Sequence, residues 1–115
     1  MTVTHVFAGL AVREYEAACA WYELLLGRPP DTRPHPSEAV WQLSGGALVY
    51  VVADEARAGG GLLTIAVDRL DDKLAELVRH GIPAWTETLS NGVRKAIVED
   101  PDGNTISFFE APSAE

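Results

Sequence analysis

The chain carries one internal repeat, whose unit spans nearly half of its 115 residues. An offset of 55 residues places Val12 on Val67 and matches the residue types around them. The matched pairs are Ala11 with Ala66, Tyr15 with Leu70, Ala20 with Ala75, and Tyr22 with Leu77. Near the end of each half the offset becomes 58, which places Ser44 on Asp102. Because a solenoid needs about three or more units, a long unit that occurs twice indicates a duplication.

The first half reads as a strand, a helix and a hairpin. Residues 3–12 are rich in Val, Phe and Leu, which predicts a buried strand, and Gly9 within it marks a bend or a close backbone approach. Residues 14–26 change to apolar positions at helical spacing, and Gly27 ends the predicted helix. The proline-rich stretch 28–38 predicts a surface loop. The strands of the hairpin that follows are predicted at residues 39–43 and 47–52.

The second half repeats this order after a glycine-rich linker. Residues 62–67 predict its opening strand, and apolar residues at helical spacing from Leu70 predict a helix with Asp68 as its N-cap. Trp85, Glu87 and Leu89 share one face of the next strand, and a turn leads into a strand at residues 93–100. We therefore expect a single domain over residues 1–115, with module one at 1–53, the linker at 54–61, module two at 62–110 and a frayed tail at 111–115.

The clearest single element is a hairpin at residues 98–110. Pro101 pre-sets φ for the second position of its turn, and Gly103 accepts a positive φ without steric cost. Turn chemistry already explains the residue types at Asp100, Asp102 and Asn104. We therefore interpret these polar residues as architecture.

Composition disfavours several classes of function. The net charge of −8, from 17 acidic and 9 basic residues, disfavours nucleic acids and anionic membranes as partners because both need a basic surface. The same charge suits a cationic ligand. The longest apolar run, residues 47–53, is too short to span a bilayer, and the N-terminus shows no secretory signal, so we expect a cytoplasmic protein. Cys19 is the only cysteine, which excludes an intrachain disulfide and favours a buried apolar role.

The duplicated pattern resembles the vicinal oxygen chelate superfamily. The resemblance is carried by residues 12–15, which lead into a helix ending in residues 21–27, and by the turn at residues 100–104. That superfamily contains glyoxalase I, extradiol dioxygenases, and the fosfomycin-resistance and bleomycin-resistance proteins. The resemblance implies an α+β fold in which two βαβββ modules form a curved mixed β-sheet with the helices outside.

The resemblance also indicates where a metal site would lie. Metal-dependent members hold a divalent cation with four His, Glu or Gln side chains, two from each half. Matched by motif, the corresponding positions in this chain are Phe7, Val49, Leu62 and Ser107. None of the four is a competent ligand for such a metal, so we expect the fold without the metal and without a cofactor. A slip of two residues would bring in His5 or Glu110, and a non-standard site with these residues stays open.

We therefore predict a metal-free protein that sequesters a cationic or aromatic small molecule in an apolar and aromatic cleft. The predicted ligand-binding residues are Phe7, Trp41, Val49, Tyr50, Leu62, Trp85 and Ser107. Two alternatives remain: a metal-dependent lyase or dioxygenase of the same superfamily, and a small domain whose partner is another protein. In every case we expect a homodimer, because open sheet edges offer a pairing surface and the bleomycin-resistance branch builds its clefts from both subunits.

Overall fold

The computed structural model describes residues 1–110, so the predicted frayed tail at residues 111–115 lies outside the described part. The elements of the first half are β1 (Val6–Val12), α1 (Tyr15–Leu26), β2 (Thr32–His35), β3 (Glu38–Ser44) and β4 (Ala47–Ala53). A short 3₁₀ helix at Glu55–Arg57 follows. The elements of the second half are β5 (Leu62–Val67), α2 (Leu70–Arg79), β6 (Trp85–Thr88), β7 (Arg94–Glu99) and β8 (Thr105–Glu110).

The strands form two four-stranded sheets, one in each half. Their order is β1-β4-β3-β2 in the first sheet and β5-β8-β7-β6 in the second. In each sheet the opening strand runs parallel to the closing strand, and the other pairs are antiparallel. The predicted α+β class and the pair of βαβββ modules are thus confirmed. The two sheets are separate and do not join into one hydrogen-bonded sheet, so β1 and β5 are each an edge strand.

One strand lies where the sequence predicts only a loop. Within residues 28–38, β2 pairs with β3, with Thr32 opposite Val40 and His35 opposite Glu38. The prolines of this stretch are tolerated because β2 is the outer strand of its sheet, where some backbone N–H groups need no partner. Asp31 anchors the start of β2, since its carboxylate accepts a hydrogen bond of 2.7 Å from the backbone N–H of Gln42.

A glycine ends α1, and a carboxylate from a distant strand caps the start of α2. α1 ends at Gly27, which has the predicted left-handed conformation with φ of 81°. The prediction of Asp68 as the N-cap of α2 is wrong, because Arg69 holds that position and provides no side-chain cap. Instead the backbone N–H of Leu70 donates to Oε1 of Glu110 at 3.1 Å. A carboxylate from the end of β8 therefore caps α2 and complements the helix dipole.

Replacing Glu110 with alanine is expected to lower the free energy of unfolding by about 1 kcal/mol, the usual effect of removing an N-cap. The matched change Asp68→Ala is expected to alter it by no more than about 0.5 kcal/mol, as for other exposed positions. Urea unfolding of both variants measures the difference. A larger effect at Asp68 than at Glu110 would contradict this capping arrangement.

The helix-facing sides of the two sheets share one hydrophobic core with α1 and α2. Its largest fully buried side chains are Trp41, Tyr22 and Phe108. The predicted apolar face of α1 is buried as well, including the free cysteine Cys19. Within residues 1–110, no helix has the length and apolar character needed to cross a membrane.

A buried polar network lies at the closing turn. The side chain of Asp100 accepts four hydrogen bonds, from the Tyr22 hydroxyl at 2.7 Å, the Asn104 side-chain amide at 2.8 Å and the backbone N–H groups of Asp102 and Asn104 at 2.9 Å each. Burial, reinforced by the hydrogen bond to Asp100, raises the pKa of the Tyr22 hydroxyl. Tyr22 is therefore a permanent donor to this carboxylate.

Asn104 extends the network into the first module. Its side-chain N–H₂ group also donates to the carbonyl of Ala11 at 2.9 Å, and its side-chain oxygen accepts from the backbone N–H of Gly61 at 2.7 Å. Arg13 reaches the same turn, because its guanidinium lies 3.0 Å from the Asp102 carboxylate. The turn residues are thus architecture, as predicted, and their role is to join β1, α1 and the linker to the second module.

Candidate functional site

The strand register assigns each side chain of the first sheet to one of two faces. In the β1–β4 pair, Phe7 lies opposite Leu48, Gly9 opposite Tyr50, and Ala11 opposite Val52. The alternate residues of these strands, including Leu10, Val12, Val49 and Val51, are buried in the core shared with the helices. We call the side that carries Phe7, Gly9, Ala11, Leu48, Tyr50 and Val52 the first open face.

The second sheet has an equivalent side that no helix covers. We call it the second open face, and it carries Leu62, Thr64, Trp85, Lys95, Ile97, Ser107 and Phe109. Thr64, Ser107, Ile97 and Trp85 are successive register partners and form one row across the four strands. Two large apolar side chains on this face are solvent-exposed, Leu62 by 85% and Trp85 by 47%.

The predicted ligand-binding residues divide between these faces and the core. Phe7 and Tyr50 lie on the first open face, and Leu62, Trp85 and Ser107 lie on the second. The predicted cleft position of Trp41 is wrong, and Val49 lies on neither open face. These two residues lie opposite each other on the helix-facing side of the first sheet, and they are 0% and 3% exposed. The Trp41 indole donates to the carbonyl of Arg28 at 2.9 Å, so its polar atom is satisfied inside the core.

The error at Val49 comes from one residue in the alignment of the two halves. Leu62 pairs with Thr105 as Phe7 pairs with Leu48, so the closing strands are related by an offset of 57, not 58. The counterpart of Ser107 is therefore Tyr50. Because successive side chains of a strand point to opposite faces, a shift of one residue is enough to move Val49 from a cleft into the core.

Each open face has its own cavity. The cavity on the first face has a volume of about 460 Å³ and is lined by residues that include Gly9, Ala11, Tyr50, Val52, Arg57 and Gly60. The cavity on the second face has a volume of about 370 Å³ and is lined by Thr64, Leu89, Asn91, Val93, Lys95 and Phe109. Neither of these cavities includes a residue of the opposite open face.

The first cavity takes part of its wall from the linker, which the sequence alone did not assign to any site. Asp54, Arg57 and Gly60 contribute to it. The sequence signal was Gly9, because a glycine inside a strand predicts a close approach, and the outer ring atoms of Tyr50 do cover it.

Acidic side chains outnumber basic ones around the open faces. Glu38 lies opposite Val52, Glu87 opposite Lys95, and Glu99 opposite Thr105. Asp54 is paired with Arg57 at 3.7 Å beside the first cavity. The two basic groups, Arg57 and Lys95, thus leave an excess of negative charge, which favours a cationic group on a ligand.

The residues at the expected metal positions do not fit a divalent cation. With the register observed in the structure, these positions are Phe7, Tyr50, Leu62 and Ser107. Their side chains are apolar or hydroxylic, whereas zinc, iron, nickel and manganese prefer imidazole and carboxylate ligands. Among residues 1–110, no group of three or more His, Cys, Asp or Glu side chains is placed to hold a metal ion.

The two residues left open as alternative ligands have other partners. His5 precedes β1, is exposed, and forms a hydrogen bond with the Thr4 hydroxyl at 3.0 Å. Glu110 uses its carboxylate to cap α2. The described part of the chain offers this pair no third ligand.

Comparison with known proteins agrees with this fold. Residues 2–108 match the family model described as the glyoxalase/bleomycin resistance protein/dioxygenase superfamily. No match was found among curated proteins. A solved glyoxalase/bleomycin resistance protein from Catenulispora acidiphila is 45% identical, with a TM-score of 0.90 over 96% of this chain and 100% of that one.

Two more distant structures share the fold. A bleomycin-binding protein complexed with bleomycin is 19% identical, with a TM-score of 0.78 over 96% of this chain and 100% of that one. A lactoylglutathione lyase from Agrobacterium tumefaciens is 18% identical, with a TM-score of 0.77 over 92% of both chains. The match over nearly all of the described residues shows that the chain belongs to the glyoxalase/bleomycin resistance protein/dioxygenase superfamily.

Proposed function

We infer that this protein binds a small molecule on its open faces and does so without a metal ion. The observation that carries this proposal is the set of residues at the four expected metal positions, Phe7, Tyr50, Leu62 and Ser107. Large apolar side chains exposed on a sheet face are typical of a binding surface. Phe7 is 57% exposed and Leu62 is 85% exposed, so the open faces have this character.

A second copy of the chain is the proposed source of the opposite wall. The two cavities lie on different faces, so a ligand in either one is left partly uncovered by its own chain. In a symmetric dimer, the second open face of one chain can cover the first open face of its partner, and the same contact occurs twice. The free edges of β1 and β5 give such a pair a place to associate.

The ligand that fits best is cationic, aromatic or both. The excess of carboxylates around the open faces favours positive charge, and Tyr50 and Trp85 offer aromatic contact. A structural relative in complex with bleomycin shows that this fold holds a small molecule, and bleomycin therefore belongs among the first compounds to test. We place the protein in the cytoplasm as part of the same proposal, and its single, unpaired cysteine is compatible with a reducing compartment.

Saturable quenching of tryptophan fluorescence by bleomycin or by members of a cationic and aromatic panel tests the proposal. Trp85 is the expected reporter because it is exposed on the second open face, so Trp85→Phe should remove most of the signal. Absence of saturable binding across the panel, by fluorescence and by calorimetry, would contradict a small-molecule function. Co-purification of one macromolecule under the same conditions would instead favour a protein partner.

The change Leu62→Glu is expected to abolish ligand binding and pairing of chains while leaving the single chain folded, because the residue is 85% exposed in the single chain. A charge there would have to be desolvated when the open face is covered. Val78→Glu is the matched control, because Val78 is 79% exposed but lies on α2. Sedimentation and the quenching titration measure both variants. Equal effects of the two changes would contradict a role for the open face.

A further inference from the structure

The ring of Tyr50 occupies the space directly above Gly9. The two residues lie opposite each other on β4 and β1. A Cβ atom built on Gly9 would lie 2.4 Å from Cζ, 2.5 Å from the hydroxyl oxygen and 2.7 Å from Cε2 of Tyr50. Such distances are far below van der Waals contact, so only glycine allows the tyrosine to lean across β1 in this way.

This arrangement makes the outer end of Tyr50 part of the floor of the first cavity. The hydroxyl of Tyr50 makes no hydrogen bond with any side chain or backbone group of residues 1–110, whereas the side chain of Asn104 is fully engaged. Asn104 is bonded to Ala11, Gly61 and Asp100, while Arg57 makes only an ion pair of 3.7 Å with Asp54 and is 85% exposed. The tyrosine hydroxyl is therefore free to form a hydrogen bond with a ligand.

We propose that this cavity holds a planar, conjugated group of the ligand that carries a polar atom at its edge. The plane would contact the Tyr50 ring, and the polar atom would form a hydrogen bond with its hydroxyl. Gly9 is then a specificity-determining residue, because any side chain there would displace the ring. The volume of about 460 Å³ is within the range of small-molecule sites. This inference rests on the proposed function and adds the chemical class of the ligand group.

Two probes of equal size and polarity separate planarity from other effects. Benzamide is planar and conjugated, whereas cyclohexanecarboxamide carries the same amide on a saturated ring. Titration of each into ¹⁵N-labelled protein reports binding at the backbone amides of Gly9, Gly60 and Gly61 and at the Asn104 side chain. We expect saturable shifts with benzamide and binding weaker by about 3-fold to 10-fold with cyclohexanecarboxamide, the difference expected from one aromatic contact.

The role of the glycine is tested by substitution, with a control variant outside the cavity. Gly9→Ala is expected to weaken benzamide binding by about 3-fold to 10-fold, because the ring must move away. Val78→Ala is expected to leave it unchanged, because Val78 is 79% exposed on α2 and lies outside the first cavity. Tyr50→Phe keeps the ring and is expected to weaken binding by about 3-fold through loss of the hydroxyl. Amide spectra of the free variants confirm that each one is folded.

Three outcomes would overturn this assignment. They are equal affinity for both probes, equal binding by the Gly9→Ala and wild-type proteins, and absence of saturable shifts around the first cavity. Shifts confined to Thr64, Lys95 and Phe109 would place the planar group on the second open face, which overturns this site but leaves the proposed function intact. Failure of the fluorescence panel would contradict the proposed function itself.

Discussion

Replacing Trp41 with alanine is expected to lower the free energy of unfolding by about 3–5 kcal/mol, the range for removing a large aromatic side chain from a core. Trp41 is 0% exposed, lies against Tyr22 with ring centroids 6.3 Å apart, and donates its indole N–H to Arg28. The change would leave a large cavity and an unpaired carbonyl. Chemical denaturation followed by circular dichroism measures the loss.

The matched change Trp85→Ala distinguishes a core tryptophan from one on a binding surface. Trp85 is 47% exposed on the second open face, so its removal is expected to change stability by less than about 1 kcal/mol. The same change is expected to weaken ligand binding, which Trp41→Ala should affect only through unfolding. A stable Trp41→Ala protein with lost ligand binding would show that Trp41 faces the ligand and that the observed register is wrong.

Replacing Asp100 with asparagine is expected to lower the free energy of unfolding by about 2–4 kcal/mol, the cost of leaving buried donors unsatisfied. Asp100 is 4% exposed and accepts hydrogen bonds from four donors at 2.7 to 2.9 Å. An asparagine has only one oxygen to accept them, and its N–H₂ group would point at other donors. The raised pKa of Tyr22 keeps its hydroxyl protonated, so its O–H still needs the acceptor that the carboxylate provides.

The neighbouring residue Glu99 provides the control for this change. Glu99 is exposed, so Glu99→Gln removes the same charge and is expected to change stability by less than about 0.5 kcal/mol. Denaturant unfolding of the two variants compares them directly. If Asp100→Asn were as stable as Glu99→Gln, the network would not contribute to joining the two modules.

Local patterns in the sequence are sufficient to predict most of this fold. The helical face of α1, the stop at Gly27 and the turn at Asp100–Asn104 each depend on residues close together in the chain. Features that depend on distant residues are harder to predict. The cap of α2 comes from Glu110, which is 40 residues away from Leu70 and carries no local signal of that role. The strand β2 is hard to recognise in the sequence because Pro34 lies within it and prolines flank it.

The candidate site was also predictable where it depends on residue type, and was harder to predict where it depends on strand pairing. The absence of metal-binding residue types at Phe7, Leu62 and Ser107 is visible in the sequence, and the observed register retains these positions on the open faces. The fourth position depends on how β4 pairs with β1, and the repeat, aligned with an offset of 58, placed it one residue too early. In the observed pairing, Tyr50 and not Val49 holds the fourth position, and Trp41 lies in the core. Tyr50 is not a ligand for these metals either, so the chemical conclusion holds.

The proposed function requires that this protein bind its ligand without a metal ion. Elemental mass spectrometry tests it on protein purified without chelator or affinity tag, before and after incubation with nickel, zinc, manganese and ferrous iron. We predict metal far below one ion per chain in every sample, together with ligand binding that is unchanged by a chelator. Near-stoichiometric metal, lost on His5→Ala, would contradict this account and assign the protein to the metal-dependent lyases or dioxygenases of its superfamily.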